Sequence, residues 1–491
     1  MRRIWRHLAA VAFVLGAMLL GLSWWIVSNS GIVTVDQALA NLRGAGGAGA
    51  GGTDIVLEAI VSSVVVPLVL AALVLAAIRR VHESDWRRAL PKAAKVGVGA
   101  VAVGTLTLVP FAGAAAISTT LSLPQYVESR MTEYQLGDYY AAPSITATPE
   151  GAPRNLVLIY LESVEDALSD TDVFERDMLE PITDVTDGWD SITLTQPANG
   201  GWTLGGIVNT QCGFPLKMAD TSLVGNEINT AGRDVDSYLS GATCLGDVLE
   251  EHGYRSVFLG GANSSFAGKG DFLADHGYGQ VMGRTDWLAH GETEMRDDWG
   301  LSDRRLIENA KDAVTELHES GEPFNLTLLT LDTHADDHVH PYCDVASDQA
   351  LTSIHECSME RVAAFVDYMD GQGYLDDTVV VVMGDHLRIT GTSDTFREQL
   401  DEIPERTIFN RIWSPDRIDW KTDEIDQLSM YPTLLELLGY EILDGRAGIG
   451  VSALEADPGH GTTRSLSDRE MASLVRSHSQ EFYDEMWMVE P

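Results

Sequence analysis

The chain opens with three long apolar runs and then changes its rhythm. Residues roughly 8–27, 55–78 and 96–118 are nearly unbroken Leu, Val, Ala, Ile and Gly, each about as long as a bilayer requires of a helix. Past residue 153 the apolar runs become short: "NLVLIYLE" (155–162), "RSVFLGG" (255–261), "FNLTLLTLDTH" (324–334) and "DTVVVVMGDH" (377–386). Runs of that length, rich in Val, Ile and Leu, read as strands buried on both faces. Amphipathic stretches at 244–252, 302–319, 350–370 and 427–438 read as helices. Strand and helix in alternation predict an α/β fold, a mostly parallel sheet flanked by helices. Residues 119–153 hold Pro124, Pro143, Pro149 and Pro153 in a polar stretch without period, and read as a linker. Three regions are expected: a membrane region of three transmembrane helices (1–118), that linker (119–153), and an α/β domain (154–491). Its last fifty residues suggest a terminal helix packed on the core.

Charge orients the membrane region. "MRRIWRH" precedes the first run and "RRVHESDWRRALPKAAK" lies between the second and third, whereas the Gly/Ala-rich connector 44–52 carries no charge. The positive-inside rule puts the N-terminus and the basic loop in the cytoplasm, so the α/β domain is expected on the outer side of the plasma (inner) membrane. A cleaved signal peptide is the alternative for the first run, although its apolar stretch is long for one and two more runs follow. Residues 1–118 carry 10 Lys/Arg against 5 Asp/Glu, while the rest of the chain carries 23 against 68. So acidic a surface repels phosphate backbones and excludes nucleic acid as a partner. All four cysteines, Cys212, Cys244, Cys343 and Cys357, fall in the part expected outside, where disulfides persist. Their spacing is not that of a zinc–thiolate site. Three pairings are open, and Cys212–Cys244 with Cys343–Cys357 is favoured because each closes a short loop.

In open parallel sheets the working residues gather beyond the carboxyl ends of the strands. The run at 155 ends in Glu162, that at 324 in Asp332 and His334, and that at 377 in Asp385 and His386. Any one of these is an ordinary strand terminator. Three strands delivering carboxylates and imidazoles to one edge form an oxygen and nitrogen donor set suited to zinc or manganese. "PANGGWTLGGIVNTQCGFPL" (197–216) then acquires a purpose. Its glycines let a phosphate approach the backbone at a helix start, and Thr203 there could attack phosphorus if a cation lowered its pKa.

In this order, "YLES", "GWTLGGIVNTQCGFPL", "CLGDVLEEHGYRSVFLGGANSSFAGKGDF", "TLDTH" and "MGDHL" resemble the membrane-anchored phosphoglycerol transferases of the alkaline phosphatase/sulfatase superfamily. The likeness is greatest to those that decorate periplasmic glucans and more distant to lipoteichoic acid synthases. It covers roughly residues 155 to 440, "DQLSMYPTLLELLGY" included. The resemblance implies that Thr203 is the nucleophile and that Glu162, Thr203, Asp385 and His386 hold one divalent cation, manganese or zinc, with magnesium a third option. It further implies that His334 contacts the phosphoglycerol head group or the leaving group and that Lys269 faces phosphate; Trp202 is expected as a lid over the ligand or a packing anchor. Asp303, in "WGLSDRRL", lies in a shared motif without an evident role. His338 and His340 read as loop histidines before they read as a second metal site.

Two departures narrow the chemistry. "DHLRITGT" lacks the further histidine that phosphoethanolamine transferases carry after the Asp-His pair, and "TLGGI" cannot supply the Cys or Ser motif from which sulfatases make formylglycine. The expected activity is therefore transfer of glycerol phosphate from a phosphatidylglycerol-type membrane lipid to a glycan or polyol-phosphate acceptor, through a phosphothreonine-type intermediate. A phosphodiesterase using water and a non-catalytic envelope scaffold are the alternatives.

Overall fold

In the computed structural model the described residues are 2–30, 35, 57–149, 151–217, 237–296, 299–334, 337–391, 394–457 and 459–488; the uncharged connector 44–52 lies outside them. The chain divides into two compact units, Met1–Val127 with Thr390–Asp394, and Glu128–Ile389 with Thr395–Pro491.

In the first unit, His7–Ser28, Leu57–Glu83 and Lys92–Thr120 are helical segments long and apolar enough to cross a membrane. The first lies within helix α1 (Arg2–Ser30), the second contains α2 (Val66–Glu83), and the third is α3 (Lys92–Thr120). Small residues let α1 and α3 touch backbone to backbone. A methyl group on Gly113 would stand 2.3 Å from the Gly16 carbonyl oxygen, and one on Gly16 would stand 2.5 Å from Pro110 Cα. Close approach at glycine is how apolar helices associate where water offers no hydrophobic drive. Leu15, Leu73 and Phe111 remain exposed on these helices, as lipid-facing side chains would be.

The second unit is built on a six-stranded sheet. Its strands are β1 (Asn155–Leu161), β2 (Arg255–Gly260), β3 (Tyr278–Met282), β4 (Phe324–Leu329), β5 (Thr378–Gly384) and β6 (Asn410–Trp413). Their spatial order is β3-β2-β4-β1-β5-β6, all neighbours parallel except β6, which runs antiparallel to β5. Every residue of β1, β4 and β5 is buried, which is why these strands read as continuous apolar runs. The pattern of the sequence did not announce β3 and β6. Both are edge strands, and "YGQVM" and "NRIW" carry polar residues because an edge faces solvent on one side.

Among the helices are α4 (Thr203–Cys212), α5 (Lys269–Asp275), α6 (Asp303–Ser320), α7 (Ala350–Gln372) and α8 (Met430–Leu437). One apolar cluster lies on each face of the sheet: Leu156, Leu158 and Tyr160 of β1 face α4 and α8, while Val157, Ile159 and Leu161 face α6 and α7.

Two stretches differ from expectation. Residues 119–153 hold a helix at Leu123–Met131, a short helical turn at Leu136–Asp138 and a strand at Ile145–Ala147 that pairs with Glu441–Ile442. Local sequence gives no period there because the ladder partner lies some 300 residues away. The C-terminal stretch forms two helices, Asp468–Arg476 and Gln480–Met486, broken at Ser479 with φ 40°; Phe482, Tyr483 and Met486 of the second are buried, as is Trp487 just beyond it.

The disulfides are Cys212–Cys244 and Cys343–Cys357, the favoured pairing. The first, with a sequence separation of 32, ties the C-terminal end of α4 to the start of the helix Leu245–Glu251. Closing a loop of that length restrains the unfolded chain by about 3–4 kcal/mol. Replacing both Cys212 and Cys244 by Ala is expected to lower the unfolding free energy by about that much, read from a denaturant titration followed by circular dichroism.

Candidate active site and metal centre

Register places the first two carboxylates. Leu161 of β1 is paired with Gly384 of β5, so the next residues, Glu162 and Asp385, emerge side by side at the carboxyl edge of the sheet. The chain turns at once on both strands: Ser163 has φ 57°, its N–H donates to Asp385 Oδ1 at 2.9 Å, and its hydroxyl donates to Glu162 Oε1 at 2.7 Å. Asp385 Oδ1 also accepts from the His386 N–H at 2.8 Å. Asp385 Oδ2, by contrast, is buried with no hydrogen-bond partner among the described residues.

His386 closes the group. Its Nδ1 lies 2.8 Å from the Leu387 carbonyl oxygen, which can only accept, so Nδ1 carries a proton and Nε2 offers its lone pair in the neutral ring. That Nε2 is 3.5 Å from Glu162 Oε1 and 3.7 Å from Asp385 Oδ2. One donor atom from each of Glu162, Asp385 and His386 lies within 4.8 Å of the others, and all three side chains are buried. Thr203, the first residue of α4, donates its hydroxyl to Glu162 Oε2 at 3.2 Å. The structure thus gathers Glu162, Thr203, Asp385 and His386 at one point. Trp202, in extended conformation as the N-cap of α4, immediately precedes Thr203 in the chain and packs half-buried against the core.

The electrostatics of this group call for positive charge. Burial and the neighbouring Glu162 push the Asp385 carboxyl up to about 7. Burial works against His386, but the charges of Asp385 and Glu162 prevail and raise it to about 9. Burial would also raise Glu162, yet its bond to His386 and the charges of His334 and His386 hold it well below the usual carboxylate range. Two buried carboxylates in contact are costly unless a cation offsets them. An orphaned carboxylate oxygen, an imidazole lone pair, a second carboxylate and a hydroxyl fit a divalent ion such as zinc or manganese. A bound cation would reverse the pressure on Asp385 and keep it ionised.

Lys269 begins α5 and is buried; burial brings its ammonium down to about 8, against the pull of Glu162 and Asp385. Its Nζ lies 5.8 Å from the centre of the Phe258 ring. His334 follows β4 on a turn, near enough for its charge to act on Glu162, and its ring lies 4.1 Å from that of Trp299.

Asp332 has a different duty from the one its position suggested. Its oxygens accept from the Tyr342 hydroxyl at 2.8 Å and the Asp303 N–H at 3.1 Å, and one lies 3.0 Å from His340 Nε2. Asp303 answers by accepting from the N–H groups of Leu331 and Asp332 at 2.7 and 3.2 Å and from the Ser358 hydroxyl at 2.7 Å. This reciprocal clamp gives Asp303 and His340 structural roles, fixing the turn that carries His334. His338 stands against His340, ring centroids 4.6 Å apart; among the described residues neither belongs to a metal-like cluster.

Sequence reasoning missed several supports. Ser163 is one, and Gln427 is another, its amide donating to the Asp385 carbonyl oxygen at 2.7 Å. Trp299 and Phe266 form an edge-to-face pair, centroids 5.7 Å apart, next to His334. Only "YLES" carried a signal for Ser163; the others depend on contacts remote in sequence.

Gly206 shows how tightly α4 sits against this edge. A methyl group there would stand 2.0 Å from the Asp385 carbonyl oxygen, a backbone atom with no room to yield. Gly206→Ala is expected to displace Asp385, weakening divalent-cation affinity by about tenfold or more and destabilising the domain by about 1–3 kcal/mol. Calorimetric titration of the cation-stripped protein and its melting temperature check both.

Comparison with known proteins adds to this geometry. Residues 154–440 match the protein-family model described as Sulfatase. Phosphoglycerol transferase I of Xanthomonas campestris pv. campestris is 33% identical over 298 residues, which cover 57% of this chain and 41% of that protein. Phosphoglycerol transferase I of Escherichia coli is 33% identical over 284 residues, covering 56% and 36%. The chain thus spans about two-fifths of the length of the curated relatives it matches. Among solved structures, the lipoteichoic acid synthase LtaP from Listeria monocytogenes is similar in fold, with a TM-score of 0.51 and 15% identity over 72% of this chain and 98% of that one.

Proposed function

The chain belongs to the sulfatase family, and from that premise we propose that it is a membrane-bound, metal-dependent transferase of glycerol phosphate. One observation carries this: the Thr203 hydroxyl opens a helix within 3.2 Å of Glu162, at the point where Asp385 and His386 also converge. Glu162, Thr203, Asp385 and His386 would hold the divalent cation. Bound there, such an ion lowers the pKa of a hydroxyl and offsets charge on phosphoryl oxygens. The names of the relatives, phosphoglycerol transferase I, support glycerol phosphate as the group moved.

In the first half-reaction the Thr203 hydroxyl passes its proton to Glu162 Oε2, to which it already donates, its oxygen bonds to the phosphorus of a phosphatidylglycerol-type lipid, and the bond from phosphorus to the diacylglycerol oxygen breaks. His334 protonates that departing oxygen. Lys269 and the free N–H groups at the start of α4 hold the phosphoryl oxygens. In the second half-reaction a hydroxyl of a glycan or polyol-phosphate acceptor attacks the same phosphorus. The acceptor hydroxyl gives its proton to His334, which the first half-reaction left neutral, the bond to Thr203 breaks, and the threonine oxygen takes back the proton held on Glu162. The apolar helices keep the domain at the surface that supplies its lipid, and the basic flanks of those helices with the two disulfides of the second unit support an outer location.

The test is a reaction of the full-length protein in detergent with phosphatidylglycerol labelled in its head group and an oligosaccharide acceptor. Label on the sugar is the expected result. Free glycerol phosphate alone would identify a phosphodiesterase, and no release at all would leave the scaffold.

A further inference from the structure

A concave surface lies away from the carboxyl edge of the sheet. The turn at Gly188–Asp190 and the segment 412–420 border an open cleft of about 470 Å³, lined by three indoles, Trp189, Trp413 and Trp420. The rings of Trp189 and Trp413 are 5.8 Å apart and inclined by 38°. Both are held in place by backbone bonds. The Asp190 N–H donates to the Ile412 carbonyl at 3.0 Å and the Ile412 N–H to the Asp190 carbonyl at 2.8 Å, which adds one bridge outside the edge strand β6. Trp413 Nε1 donates to the Leu375 carbonyl at 3.0 Å. The aromatic floor is therefore formed before any ligand arrives, which spares a ligand the cost of ordering it.

Register separates this cleft from Thr203. Trp413 is paired with Val380, five residues ahead of Asp385 on the same strand, or about 16 Å at 3.3 Å per residue. It is not part of the site at the carboxyl edge.

The polar lining selects the ligand. Asp190, Asp416, Asp419 and Arg417 surround the indoles; Asp416 is paired with Arg154, and Asp419 with Lys421. Acceptors and donors are both present without an excess of positive charge, so a phosphate or polyanion gains nothing there. A purely apolar ligand would leave the carboxylates idle. A neutral sugar satisfies both: its C–H face meets the negative face of an indole, and its hydroxyls donate to carboxylates.

We propose that this cleft binds a neutral oligosaccharide and anchors the glycan acceptor at a distance from Thr203. The word acceptor rests on the proposed transferase; saccharide binding does not. The experiment is calorimetric titration of the full-length protein in detergent, without lipid donor, with maltohexaose, cellohexaose and laminarihexaose. Saturable binding of at least one is expected, weakened about tenfold or more by Trp189→Ala or Trp413→Ala. Asp190→Ala and Asp419→Ala, exposed changes that spare the core, are expected to weaken it less. Should the Trp variants melt early, the Asp pair alone decides. Failure of all three sugars to bind, or binding indifferent to every variant, overturns the proposal. If sugar binding depends on these residues but no glycerol phosphate is transferred, the cleft stands and the transferase falls. Transfer with no sugar binding at the cleft gives the reverse.

Discussion

Thr203→Ala is expected to abolish transfer, lowering kcat on the order of 10³-fold or more, because the Thr203 hydroxyl opens α4 against Glu162 Oε2, at the point where Asp385 and His386 also converge. The loss should be chemical rather than structural. Thr203 is half-buried and contributes its hydroxyl only to Glu162, so the melting temperature should stay within a few degrees of the parent. Three charged or imidazole donors remain in the variant, and it should still bind the divalent cation. A rate assay beside a thermal melt and an elemental analysis separates these effects. Full activity in the variant would eliminate the threonine route.

Removal of the cation is expected to have the second large effect. Chelation should stop transfer, and added manganese or zinc should restore it in the parent but not in Asp385→Ala. Binding to the folded state alone also stabilises: at a free concentration a hundredfold above Kd the gain is about 2.7 kcal/mol. The parent should therefore melt at a higher temperature with cation than without, and Asp385→Ala should show no such difference. The physical ground is the orphaned Asp385 Oδ2, a buried oxygen with no hydrogen-bond partner among the described residues. Undiminished activity after exhaustive chelation would contradict the role given to these donors.

Much of this site could be read along the chain because its residues follow directly on buried strands. Glu162 and Asp385 are each the first residue beyond an apolar run, and parallel pairing of β1 with β5 makes such neighbours in sequence pattern neighbours in space. Thr203 was legible through its glycines, of which Gly206 allows α4 to meet Asp385. The same rule misplaced Asp332. A carboxylate after β4 looks like one after β5, but Asp332 is committed to Tyr342, His340 and the Asp303 amide, partners no local pattern can announce. Edge strands escaped for a related reason, since solvent on one side dilutes their apolar signal. Residues 119–153 escaped too, since the partner of Ile145–Ala147 lies at Glu441–Ile442. Trp189 and Trp413 are far apart in sequence and become a single surface only when Asp190 bridges to Ile412.

The covalent step can be caught directly. The full-length protein, supplied with head-group-labelled phosphatidylglycerol and no acceptor, then quenched in acid and digested, should carry the label on the peptide containing Thr203 and on that side chain. Label on another residue, or protein that turns over lipid with no labelled peptide at all, would show that Thr203 is not where phosphorus is held.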